Sequence, residues 1–221
     1  MSATTVSLGL ALVASALSFT AQAAKIQIDY GATASVCKAA AKIVGRMTES
    51  DFWSGQWRNA FGVVDWLEES YPTVTSEGRA QRVSFSHLTI DVNNDGKRDV
   101  VVRYTDMQGS VLWDWIYVLE PGDFQVARKS DAVGKLLQTA PQLNPDNSVH
   151  FSNGFSGVPV EAQIWRHKNA NYLVLKEHFF LKREPTLPSF LYVGRIHGQF
   201  RNEANHATSR RIPIELACRL R

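Results

Sequence analysis

Between Ala34 and Met47 the chain reads "ASVCKAAAKIVGRM", and its apolar positions Val36, Ala40, Ile43 and Met47 recur at the spacing of one helix face. This predicts a first helix. A second is predicted in "DFWSGQWRNAFGVVDWLEES", residues 51–70, where Trp53, Trp57 and Phe61 repeat every four residues behind Ser50 or Asp51 as cap, although Gly55 and Gly62 weaken it. From Arg82 the period changes to two: "RVSFSHLTID" sets Val83, Phe85, His87 and Thr89 against Ser84, Ser86, Leu88 and Ile90. "DVVVRYT" and "VLWDWIYVLE" continue with strand composition. After a short helical stretch, "SDAVGKLLQTA", come "SVHFS", "VPVEAQIW", "NYLVLKEHFFL", "FLYVGRIHGQF" and "RIPIELACRL", with "RHKNAN" as a hairpin turn. The pattern predicts a mainly β (α+β) chain of antiparallel sheets and β-hairpins with a small N-terminal helical segment.

Composition adds a compartment. The first 23 residues carry no charge, "VSLGLALVASALSF" has the length of a secretory core, and Ala21-Gln22-Ala23 supplies a small-x-small cleavage pattern. Residues 1–23 are therefore expected to be a signal peptide, and 24–221 a single mainly-β domain that is periplasmic or secreted, with no transmembrane segment after cleavage. A membrane anchor is the competing reading. The only cysteines, Cys37 and Cys218, lie near the two ends of that domain. In an exported chain they are expected to form one disulfide, the alternative being two buried thiols.

Charge is uneven. Residues 24–180 carry 16 Lys/Arg and 18 Asp/Glu, whereas residues 181–221 carry 8 and 3. Arg195, Arg201, Arg210 and Arg211 surround "RNEANHATSRR", an expected exposed loop able to meet an acidic partner. A solvated face is the plain alternative, and without aromatic interleaving no nucleic acid is expected as partner.

The sharpest chemical signal is "DVNNDGKRD", residues 91–99. Alternate positions offer Asp91, Asn93 and Asp95, then the backbone carbonyl of Lys97, then Asp99, with Gly96 at the bend. A hard cation takes six to eight such oxygens, and an all-protein oxygen cage suits Ca2+ better than Mg2+. An EF-hand would need a bidentate Glu at position twelve, where Val102 stands, and the flanks "HLTI" and "VVVRY" are strand-forming. Asn-Asp-Gly is also an ordinary turn signal. The motif D-x-N-x-D-G-x-x-D followed by an apolar strand resembles the calcium-binding hairpin loop of FG-GAP and VCBS-type repeats. The resemblance runs from Leu88 to Tyr104 and implies Ca2+ as cofactor, side-chain ligands at Asp91, Asn93, Asp95 and Asp99, and a carbonyl ligand at Lys97. The unit occurs once, so a propeller of several such blades is not implied.

Catalytic patterns are weak. Gly154-Phe155-Ser156-Gly157 falls one residue short of a nucleophile elbow and reads as a turn. The six histidines, at 87, 150, 167, 178, 197 and 206, show no helical zinc spacing. Trp113, Trp115 and Tyr117 share one strand face with Asp114 on the other, and Asp65 and Glu68 would lie one helical turn apart. The expected function is a non-enzymatic binding protein, stabilised by Ca2+, that contacts an unknown macromolecule such as an acidic protein or a glycan. A secreted, polysaccharide-directed hydrolase with structural Ca2+ is the alternative; it requires two carboxylates facing across a cleft.

Overall fold

The structure, a computed structural model, describes residues 26–62, 65–74, 80–108, 111–143, 148–177, 190–198 and 211–221. The apolar segment 1–23 and most of the loop "RNEANHATSRR", with Arg201 and Arg210, lie outside the described residues. No helix among the described residues is long and apolar enough to cross a membrane.

Period-two alternation becomes two antiparallel sheets stacked face to face. β1 (Ile28–Tyr30) belongs with strands from the far end of the chain; β2 (Leu67–Val74), β3 (Ala80–Ile90), β4 (Asp99–Gln108) and β5 (Val111–Leu119) form a four-stranded meander. β6 (Val149–His150) and β7 (Ser156–Gly157) make a small ribbon. β8 (Pro159–His167), β9 (Ala170–Glu177), β10 (Leu191–Ile196) and β11 (Ile214–Leu220) complete a five-stranded sheet in the order β1-β11-β10-β9-β8. Leu88, Val101, Ile116 and Val118 from the meander meet Ala162, Ile164, Leu173, Leu175, Tyr192, Ile214 and Leu216 in the central core.

Each sheet is covered by helices on its outer face, which gives four layers. α1 (Ser35–Val44), α2 (Glu49–Trp53) and α3 (Trp57–Ala60) bury Val36, Cys37, Ala40, Val44, Phe52, Trp57 and Phe61 against Trp165, Val174, Val193 and Leu220. On the opposite side α4 (Pro121–Lys129) and α5 (Val133–Thr139) cover Phe85, Val100, Val102 and Leu119 with Phe124, Ala127 and Val133. The chain is thus mainly β, with the expected small N-terminal helical part. Cys37 and Cys218 are joined as a disulfide, their Cα atoms 5.6 Å apart.

A β-bulge makes that bond geometrically accessible. Ala217 is the extra residue: Val193 pairs with Cys218 but Gly194 pairs with Leu216. Above the bulge Ile214 and Leu216 face the central core, and beyond it Cys218 and Leu220 face α1. One unpaired residue therefore re-aims a strand whose sequence alternates without interruption. Gly31, at φ +79°, passes so close that any side chain there would strike the Ala217 carbonyl.

The helix predicted over 51–70 is corrected. Gly55 (φ 75°) and Gly62 (φ 100°) break it into α2 and α3, and Leu67 to Ser70 enter β2. Left-handed glycines end a helix more cheaply than any other residue. Neither Ser50 nor Asp51 is the cap. Thr48 is: its hydroxyl accepts from the Asp51 N–H at 3.3 Å while the Asp51 carboxylate accepts from the Thr48 N–H at 2.7 Å, a reciprocal box. Asp65 and Glu68 consequently share no helical turn.

Candidate functional site

The acidic loop joins β3 to β4, whose strands close on it through the Ile90–Asp99 pair. Asn94 (φ 62°) and Gly96 (φ 88°) take left-handed conformations, which a glycine adopts freely and an asparagine tolerates better than most residues. The side chains hold the turn from within. Asp91 accepts from the N–H groups of Asp95 at 2.9 Å and Gly96 at 3.0 Å; Asn93 Oδ1 accepts from Asp95 N at 3.2 Å; Asp95 accepts from Lys97 N at 2.8 Å and from Asn93 Nδ2 at 3.0 Å. Lys97 and Arg98 are exposed.

The loop also reaches the other sheet. Asn93 Nδ2 donates to the Gly198 carbonyl at 2.7 Å, just after β10. Asn94 exchanges two hydrogen bonds with the backbone of Asn171 at the start of β9, and Asn171 Nδ2 donates to the Asp91 carbonyl at 2.7 Å. The loop is therefore a tie between the sheets at one end of the sandwich.

Asp99 is the strained member. It is 6% exposed and receives the Val92 N–H at 3.2 Å. Burial pushes its carboxyl up to about 6; the Val92 hydrogen bond opposes this, and the charges of Asp95, Glu120 and Asp91 add to it. Asp95, in contrast, is held below the ordinary value by the Lys97 N–H and the Asn93 amide. A cation would relieve the repulsion around Asp99, and every donor in the predicted set is an oxygen, so the chemistry fits Ca2+. The side chains are not drawn together as a ligand shell: among the described residues no group of three or more His, Cys, Asp or Glu is placed to hold a metal.

At the opposite end lies an ion network that the sequence reading missed. Asp114, 2% exposed, accepts from Arg58 Nη2 at 2.7 Å, from the Thr105 hydroxyl at 2.7 Å and from the Ala162 N–H at 2.8 Å. Glu161 accepts from the same Arg58 nitrogen at 3.1 Å and from Trp57 Nε1 at 3.2 Å, and pairs with Lys176 at 2.5 Å. Arg58 thus wraps the edge of β8 and joins a helix to both sheets. The signal was available: Asp114 shares the strand face of Ile116, and Lys176 that of Val174, so both place charge where the alternation calls for an apolar residue.

A third polar cluster lies under α4. Glu69 accepts from the Tyr71 hydroxyl and pairs with Arg128, whose Nε donates to Tyr71 at 3.0 Å. His87 Nε2 stands 3.3 Å from Glu69, with its ring against Phe124 and both nitrogens short of a well-aligned partner among the described residues. Burial raises the Glu69 carboxyl, but hydrogen bonds from Tyr71 and His87 and the charges of His87 and Arg128 outweigh it and hold Glu69 below its ordinary value.

Other predicted residues separate. Ser156 is exposed on β7, as a turn-edge residue with no elbow. Trp113, Trp115 and Tyr117 are half-buried; Trp57 and Phe61 are fully buried, and Trp53 is 48% exposed. Arg195 is half-buried over Tyr172 and Arg211 is exposed. Compared with protein-family models, with curated proteins and with solved structures, the chain matches none of them.

Proposed function

We propose that this chain is an exported protein that acts by contact with a macromolecular partner, on a scaffold stabilised by Ca2+ in the 91–99 loop. The observation that carries the reading is the position of the loop. Its side chains and carbonyls tie the β3–β4 turn to the start of β9 and the end of β10, so an ion there would stabilise the scaffold. Asp91, Asn93, Asp95 and Asp99 would hold it with the Lys97 carbonyl. The ion would supply the positive charge that Asp99 lacks among its acidic neighbours. The Cys37–Cys218 disulfide agrees with an oxidising compartment.

The hydrolase reading asks for two carboxylates across an open cleft. Asp114 and Glu161 do converge, but on one guanidinium nitrogen of Arg58, and Lys176 pairs with Glu161 as well, so the two carboxylates are matched by two cations. Such a pair has a structural role and is poorly placed for acid–base work.

Calorimetry and melting of the chain beginning at Ala24, with millimolar Ca2+ and then with chelator, test the ion. At a hundredfold excess over the dissociation constant, binding adds about 2.7 kcal/mol of stability. Asp95→Ala is the cleaner probe, because Asp95 is exposed and holds one backbone amide of the turn where Asp91 holds two. It is expected to abolish the Ca2+-dependent rise and leave the fold intact. The absence of heat and of any rise in the wild type would refute the metal. Capture from periplasmic extract tests contact: a partner lost at high salt supports the reading, whereas glycan hydrolysis by the purified chain overturns it.

A further inference from the structure

Arg103 carries a charge that no hydrogen bond or ion pair among the described residues answers. It lies on β4 in the cross-strand row Glu68, Ser86, Arg103 and Ile116, on the face turned toward the five-stranded sheet. In this row the dry packing of Leu88, Val101 and Val118 gives way to Ser70, Ser84, Thr105 and Asp114. The guanidinium carbon stands 4.4 Å from the centroid of Trp66, and Trp66 is fixed by its Nε1 donating to Gln163 at 3.2 Å. Among the described residues Arg103 makes no hydrogen bond or ion pair, and its Nε is buried without an acceptor.

The charges nearby act on it from a distance, and none pairs with it directly among the described residues. Burial lowers the affinity of this guanidinium for its proton; the charges of Asp114, Glu68 and Glu161 oppose that shift and the neighbouring Arg58 charge adds to it. Arg58 and Lys176 are matched by Asp114 and Glu161. Glu68 is exposed and lies across Ser86, and no hydrogen bond or ion pair joins it to Arg103. A partly buried guanidinium with no ion pair is costly, and an apolar side chain of similar volume would serve packing better.

We propose that Arg103, held flat by Trp66, is the anchor of a binding site for a small monocarboxylate such as a sugar acid or an aliphatic acid. The planar fork of a guanidinium matches a carboxylate, and stacking on an indole fixes the plane in which its N–H groups point. One negative charge matches the single guanidinium of this site that has no ion pair among the described residues. A dianionic phosphate would place surplus negative charge beside Asp114 and Glu161. The site is independent of the acidic loop, so binding persists in chelator.

The test is titration of the wild-type chain with glucuronate, acetate and inorganic phosphate at matched ionic strength, in chelator, read by tryptophan fluorescence and melting temperature. Saturable responses to a carboxylate at millimolar concentration are expected, with phosphate weaker by roughly tenfold or more. Arg103→Met is expected to melt at the wild-type temperature or above it in the absence of ligand and to lose the response. Should that variant fail to fold, Arg103→Lys, which keeps the charge and loses the fork, is expected to weaken binding roughly tenfold at unchanged melting temperature. A wild type indifferent to both carboxylates, an equal response to phosphate, or a response retained in Arg103→Met or undiminished in Arg103→Lys overturns the proposal.

Discussion

Replacing Asp114 with alanine tests whether the polar end of the sandwich holds the layers together. The carboxylate, with a fully buried side chain, satisfies three donors from three elements: Arg58 of α3, Thr105 of β4 and the Ala162 N–H on the edge of β8. Removing one member of a buried ion pair costs about 3–5 kcal/mol, because the partner stays desolvated. Arg58 keeps Glu161, which reduces that figure; the orphaned Ala162 N–H adds about 1–3 kcal/mol. The two corrections largely offset, and a loss of about 4 kcal/mol is expected. With a urea dependence near 2 kcal/mol per molar, the unfolding midpoint should fall by about 2 M. Asp114→Asn can still accept from Arg58 and Ala162 and should lose about 2 kcal/mol, and Thr105→Val about 1 kcal/mol. Urea titration followed by circular dichroism, disulfide intact, measures all three. An Asp114→Ala midpoint within about 0.5 M of wild type, or a larger loss for Thr105→Val, would refute the argument that this carboxylate clasps the sheet edges.

Two further outcomes are expected. Reduction of Cys37–Cys218, which closes a loop of sequence separation 181, should cost up to about 5 kcal/mol by chain entropy, and intact mass with alkylation checks the bond directly. In chelator the Asp99 contribution should fall as pH rises from about 4 to about 6, since a carboxyl raised from 3.8 to about 6 in the fold binds its proton more tightly folded than unfolded. The penalty, up to about 3 kcal/mol above pH 6, should vanish in Asp99→Asn or in saturating Ca2+, and melting curves across that range would refute it if they stay flat.

The elements with a clean period were legible in the sequence. "RVSFSHLTID" and "IELACRL" announce strands, and Val36 and Ala40 announce the buried face of α1. What failed was whatever depended on a backbone switch or a distant partner. Trp53, Trp57 and Phe61 keep helical spacing across Gly55, so the periodicity survived although the helix did not. α4 was missed because "PGDFQVARK" opens with proline and glycine and buries only Phe124 and Ala127. At the candidate site, residues adjacent in sequence were found and those assembled across layers were not. The loop 91–99 was visible because its parts are local; Arg58, Asp114, Glu161 and Lys176 meet across sequence separations that no spacing rule spans.

The position of these groups follows from how long the strands are relative to the core they share. Along β4, Asp99 lies at the loop end and Thr105 six positions further, about 20 Å at the rise of an antiparallel strand. Between them Val101 is dry and packed, and Arg103 is the first charged residue on the same face. β9 runs the same gradient, from Asn171 at the loop through Leu173 and Leu175 to Lys176 and Glu177. Both ends of the sandwich are therefore closed by polar ties, and neither could be apolar without exposing that surface to water. The two ties differ in charge balance. At the loop the excess is negative and centred on Asp99, and at the Arg58 end the group left without an ion pair among the described residues is a cation, Arg103. An oxygen-seeking cation suits the first and a carboxylate the second, so raising salt alone should blunt both responses, whereas chelator should remove only one.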